Sequence, residues 1–169
     1  MPTPGAVTSM VEPKLETYTI NPNLITDKIT TKTRSILVVN LYGQLAELDS
    51  INEIANKNNL IVVEDSAQSH GAISNNSKSK NTQAFSFYPG KNLGAMGDAG
   101  AVVSNDLSLI RKMTMFARHG GLKKGEHLIE GINSRMDGIQ AAILIEKLPY
   151  LKGWTEKRQE LSSYYTHCL

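Results

Sequence analysis

Ser35-Ile-Leu-Val-Val-Asn-Leu41 and Leu60-Ile-Val-Val-Glu-Asp65 decide the fold, together with the amphipathic stretch between them. Each is a short apolar run rich in Val and Ile. Such runs suit strands buried on both faces, the usual state in a parallel sheet. Between them, from Glu47 to Asn58, Leu48, Ile51, Ile54 and Ala55 recur at helical spacing and predict an amphipathic helix. Strand, helix and strand with short connections make a βαβ unit, whose crossover is expected to be right-handed.

Working outward, residues 1–34 are rich in Pro, Thr and Asn, and Asn21-Pro22-Asn23 reads as a turn into a short helix through Leu24, Ile25 and Ile29. Beyond the unit, the polar run Ser74–Asn81 predicts a surface loop, and the alternating, aromatic Gln83–Tyr88 a strand. Gly90–Gly100 holds four glycines and is expected to be a loop of special backbone geometry. Ala101–Ser104 predicts another strand. Asn105 or Asp106 can cap a helix running to about Arg118, with Leu109, Ile110, Met113 and Phe116 on its inner face. Lys123–Glu130 is polar. A helix is expected from Asp137 to Leu148, then an interruption at Pro149, then a last helix over Trp154–Tyr165. No internal repeat is present. The class is α/β, a mostly parallel sheet flanked by helices.

Composition bounds the function. The chain has 169 residues, 40% of them apolar and 20% charged, which suits one domain with a hydrophobic core. A net charge of +2 is too weak to imply nucleic acid or an anionic membrane as partner. No apolar run reaches the length of a membrane span, and Met1–Gly5 has neither the basic start nor the apolar core of a signal peptide. Cys168 is alone, so no internal disulfide can form, and a reducing cytoplasm is the default expectation.

In an open α/β sheet, ligands gather at the carboxyl ends of the strands. Glu64-Asp65 stands at such an end. An acidic residue there can bind a ribose, ligate a metal, act as a general base or pair with a protonated ring nitrogen. It can equally cap a helix. Lys91 follows the aromatic run Phe85-Ser-Phe-Tyr88 in a glycine-flanked turn. Apolar walls depress a lysine's pKa and favour nucleophilic amine chemistry such as a Schiff base, whereas a solvated loop lysine has no such role. Pro89-Gly90-Lys91 is not a phosphate-binding Walker loop, since the spaced first glycine and the following Ser or Thr are missing. Asp65 and Lys91 together point to pyridoxal phosphate, which takes a lysine on its aldehyde, an aspartate on its ring nitrogen and hydroxyls on its phosphate. Ser86 is a candidate phosphate ligand.

Four stretches occur in order: Asn40-Leu-Tyr-Gly-Gln44, Val63-Glu-Asp-Ser-Ala-Gln-Ser-His-Gly71, Phe85-Ser-Phe-Tyr-Pro-Gly-Lys-Asn-Leu-Gly-Ala-Met-Gly-Asp-Ala-Gly100 and Gly131-Ile-Asn-Ser-Arg-Met-Asp-Gly-Ile-Gln-Ala-Ala142. With them the chain resembles the DegT/StrS-type sugar aminotransferases, fold-type I pyridoxal phosphate enzymes acting on nucleotide-linked keto sugars. The likeness runs from about Glu16 to Tyr165. It implies that Lys91 carries the cofactor and shuttles the proton, and that Asp65 pairs with the pyridinium. It further implies that Gln68 faces the cofactor's 3-hydroxyl region, that Ser86 holds the phosphate and that Asn133 reaches the phosphate of a neighbouring subunit's cofactor. A homodimer with shared sites follows. His70 matches a frequent histidine near the site, and Arg135 either serves the dimer interface or makes a surface ion pair.

Family members with histidine at the lysine position dehydrate their sugar, so Lys91 implies transamination, with glutamate as the usual amino donor. The resemblance also implies that residues 1–150 are part of a large cofactor-binding domain. Residues 151–169 would open the helix toward a small domain that this chain lacks, with Trp154, Leu161, Tyr164 and Tyr165 left partly uncovered. The polar run Ser74–Gln83 replaces a Gly-Asp-Ala stretch usual in the family, and Asn40 stands where histidine is common. The alternative expectation is a truncated homologue that keeps the core fold without turnover. A nucleotide-binding domain using Asp65 for ribose lacks the required Gly-x-Gly-x-x-Gly turn. No metal site is expected, because His119, His127 and His167 are widely spaced.

Overall fold

The structure, a computed structural model, describes residues 6–72 and 79–169. Its centre is a sheet of β1 (Ser35–Val39), β2 (Ile61–Asp65), β3 (Thr82–Ser86) and β4 (Gly100–Val103), ordered β1-β2-β3-β4. The first three strands are parallel, and β4 pairs antiparallel with β3. The expected βαβ unit is present: α1 (Leu48–Lys57) joins β1 to β2. The remaining helices are α2 (Leu107–Ala117), α3 (Gly138–Lys147) and α4 (Leu151–Cys168). The short helix predicted after Asn21 is two successive 3-10 turns, Pro22–Leu24 and Thr26–Lys28.

Alternation along the strands sorts side chains onto two faces. Ile36, Val38 and Val62 point to the α1 side, where they pack with Ile51, Ala55, Ile25 and Ala46 in the main core. Leu37, Val39 and Ile61 point the other way and are exposed. These strands are therefore buried on one face only, although their apolar runs read as buried on both. A second cluster joins Leu93 and Ala95 of the glycine-rich segment to Leu144 of α3, with Phe87, Ala99, Met136 and Leu151 around it.

The special geometry of that segment does not come from left-handed φ. None of Gly90, Gly94, Gly97 and Gly100 is among the left-handed glycines of the described residues, which are Gly43, Gly71, Gly120 and Gly125. Gly94 lacks a side chain because a Cβ there would collide with the Pro89 carbonyl. The segment is thus folded tightly on itself.

Asp106 caps α2 as expected, its Oδ1 accepting from Ser108 N at 2.8 Å and Leu109 N at 3.0 Å. Phe116, expected on the inner face of α2, is 47% exposed. Pro149 does interrupt the helix, by a single 3-10 turn over Leu148–Tyr150, and α4 resumes at Leu151, earlier than predicted. The expected surface loop at Ser74–Asn81 lies largely outside the described residues; Ser79 and Asn81 are described and partly buried. No described helix is long and apolar enough to cross a membrane.

Candidate active site

The carboxyl ends of the parallel strands collect most of the residues singled out above. Asp65 ends β2 and is half-buried, in register with Val39 on β1 and Ala84 on β3. Ser86, two residues past Ala84, therefore shares Asp65's face of the sheet. Gly100 stands opposite Ser86 on β4, where a Cβ would meet the Phe85 carbonyl at 2.9 Å. Asp65 closes a tight turn, its Oδ1 accepting from Ala67 N at 3.0 Å. Among the described residues neither Asp65 nor Lys91 has an ion-pair partner.

Lys91 and Gln68 line one open cleft of about 1150 Å³, together with Tyr42, His70 and, from α4, Arg158 and Gln159. Lys91 is placed by a turn in which its N–H donates to the Tyr88 carbonyl at 2.9 Å. Gln68 is fixed by the turn after β1: Gly43 N donates to its carbonyl at 3.0 Å, and Tyr42 N to its Oε1 at 3.4 Å. That turn holds Tyr42 at φ 57° and Gly43 at φ 80°. A left-handed tyrosine is strained, and such strain concentrates at functional sites.

His70 joins the two halves of this region. It is 6% exposed, its ring lies 5.7 Å from that of Phe85 and 5.8 Å from that of Phe87, and its Nε2 is 2.8 Å from the Ser86 carbonyl oxygen. Burial holds the imidazole below the usual histidine range; the bond to Ser86 opposes this, and the Lys91 charge adds to it. Its Nδ1 is buried with no partner among the described residues.

Glu64, the neighbour of Asp65, faces the opposite way and is fully buried. Its carboxylate accepts from Asn40 Nδ2 at 2.9 Å, Asn81 Nδ2 at 2.8 Å and Gln83 Nε2 at 3.2 Å, and from the Ser79 hydroxyl. Asn40 also accepts from Ala46 N at 3.0 Å through its Oδ1. Sequence reasoning chose Asp65 over Glu64 as the candidate, and the pleat puts the two on opposite faces of the sheet. That reasoning missed the knot itself. The one available signal was a polar run, ending in Asn81 and Gln83, close after a strand-end glutamate.

Asn133 stands apart from this cleft. It bridges Arg118, accepts from Arg135 Nε at 3.2 Å and lines a second open groove of about 960 Å³ beside α2. Among the described residues no group of His, Cys, Asp and Glu is arranged to hold a metal ion.

Comparison with known proteins gives the lineage. The chain is 49% identical over 178 aligned residues to the dTDP-3-amino-3,6-dideoxy-alpha-D-galactopyranose transaminase of Aneurinibacillus thermoaerophilus, covering 95% of this chain and 45% of that one. It superposes on S. venezuelae DesV, solved in complex with a ketimine intermediate, with a TM-score of 0.87 and 41% identity, over 92% of this chain and 43% of that one. It also matches Bacillus subtilis NtdA, solved with bound cofactor PMP, at a TM-score of 0.77 and 36% identity, over 83% of this chain and 33% of that one. The chain thus spans less than half the length of these relatives. The sequence pattern of one family matches residues 3–169, and on that match the chain belongs to the DegT/DnrJ/EryC1/StrS aminotransferase family.

Proposed function

We propose that this chain is part of a pyridoxal phosphate-dependent aminotransferase that turns a nucleotide-linked keto sugar into an amino sugar. The observation that carries the reading is that Asp65 and Ser86 share one face at the carboxyl end of the parallel strands, while Gln68 and Lys91, from the loops that follow those strands, line one cleft. The donor set fits the group: an amine with no ion-pair partner among the described residues, a carboxylate on a strand end, an amide and a hydroxyl. Bound there, pyridoxal phosphate would supply an electron sink for the carbon that loses its proton.

The residues have separate tasks in this reading. The Lys91 amine would hold the cofactor and would serve as the group that moves the proton during transfer. The Asp65 carboxylate keeps the ring nitrogen protonated by a charge-assisted hydrogen bond. Gln68 would face the ring's hydroxyl, and the Ser86 hydroxyl would hold the phosphate. Asn133, placed away from the cleft, serves the phosphate of a second subunit, so the working unit is a homodimer with shared sites. Residues 1–150 belong to a large cofactor-binding domain and 151–169 open the helix toward a small domain. Glutamate is the amino donor and the location is cytoplasmic. The dTDP-sugar transaminase among the relatives supports the substrate class.

The test is to supply pyridoxal phosphate, glutamate and a dTDP-linked keto sugar, and to assay oxoglutarate. The expected result is oxoglutarate formed with the amino sugar, and none from Lys91→Ala. Loss of water from the sugar without consumption of glutamate would contradict the reading.

A further inference from the structure

We infer that His70 is a positioning residue that carries the β2–β3 ladder one rung past its end and thereby sets the peptide of Ser86 and the turn to Lys91. The inference rests on the proposed cofactor site for its purpose, but its geometry stands without it.

In a parallel ladder, successive carbonyls on one strand receive N–H groups two residues apart on its neighbour. Ser66 N donates to the Ala84 carbonyl at 2.8 Å, the last such bond between β2 and β3. The next carbonyl in line is that of Ser86. The chain has by then left the sheet, since Ser66 turns its own carbonyl to Ser69 N at 3.1 Å. The His70 Nε2, 2.8 Å from the Ser86 oxygen, takes the missing place. A carbonyl only accepts, so Nε2 carries the hydrogen and Nδ1 is bare. Burial between Phe85 and Phe87 favours that neutral ring.

The bond ties two loops that otherwise part company at the sheet's edge. On its other side the same segment is held by β4, with Phe87 N donating to the Ala99 carbonyl at 2.8 Å. From this clamped peptide the chain enters the turn closed by Lys91 N and by Ala95 N, which donates to the Phe87 carbonyl at 2.8 Å. Without the imidazole N–H, the Ser86 carbonyl loses its donor and nothing from the β2 side holds the peptide that leads into the Lys91 turn; β4 still holds that peptide, and α3 holds the far end of the segment, where Lys147 Nζ donates to the Gly94 carbonyl at 2.7 Å.

The experiment compares the unmutated chain with His70→Phe, which keeps the ring's bulk without a donor, and His70→Gln, whose amide can still donate. Amide hydrogen exchange at Lys91 and Ala95 is expected to quicken about tenfold in the Phe variant and to stay near the original in the Gln variant. Pyridoxal phosphate affinity should follow the same order. Equal exchange in all three chains, or Gln as fast as Phe, would overturn the inference. Should the Phe variant fail to fold, nitrogen-15 spectra of the unmutated chain decide: Nε2 protonated and Nδ1 bare is expected, and the opposite tautomer refutes it. Failure of the unmutated chain to take up pyridoxal phosphate would count against the proposed function, while the exchange pattern would still judge His70.

Discussion

Glu64 and Asp65 are adjacent in the chain and unlike in their surroundings. Asp65 is half-buried and, among the described residues, accepts only a backbone N–H on Oδ1, whereas Glu64 is sealed under donors from Asn40, Ser79, Asn81 and Gln83. Glu64→Ala leaves those buried donors unsatisfied, so it should lower stability by about 3 kcal/mol, read from urea unfolding. Asp65→Asn removes a charge without removing bulk. It should leave the urea midpoint nearly unchanged and weaken pyridoxal phosphate about tenfold in a spectral titration. His70 gives a pH signature. Its folded pKa lies below the ordinary 6.5, so between the two values the unfolded chain binds a proton that the folded chain does not. Its contribution is therefore complete above about pH 6.5 and is lost as pH falls toward the folded value. Urea midpoints measured across pH 7 to 5 should fall more steeply for the original chain than for His70→Gln. The placement of Asp65 at a strand end and of Lys91 in a turn was legible, because an apolar run precedes the one and glycines flank the other. The Glu64 knot was not, because its partners come from two distant segments, after β1 and before and within β3, and meet only when both strands pair with β2.

At the scale of elements, periodicity located β1, α1 and β2, since each has an apolar pattern that only one period satisfies. Ile51 is fully buried on α1 and packs in the main core; Ile51→Ala should cost about 3 kcal/mol in the same unfolding assay. The pattern said less about burial. Leu37 and Phe116 are apolar yet exposed, because no described element covers Leu37's face of β1 and α2 turns Phe116 outward. Nor did it say why Gly94 is a glycine: crowding by the Pro89 carbonyl, rather than a left-handed φ, excludes a side chain. Crowding depends on how the segment folds back on itself, which composition does not encode.

At the scale of the whole molecule, β1 and β4 are the edges of the described sheet; Leu37 on β1 (63%) and Val103 on β4 (54%) are exposed there, and so is Ile61 (64%) on the neighbouring β2. Apolar surface beside open strand edges promotes association. Sedimentation of the 169-residue chain should show concentration-dependent self-association that Leu37→Lys with Ile61→Lys reduces; a monomer at every concentration would contradict this. The chain spans 45% of its Aneurinibacillus relative, so its cofactor chemistry is the claim on which the functional account rests. The most direct measurement is to incubate the chain with pyridoxal phosphate, reduce with borohydride and map the labelled peptide. The account predicts a pyridoxyl group on Lys91 that disappears in Lys91→Ala. No label, or a label spread over other lysines and unchanged in that variant, would contradict it.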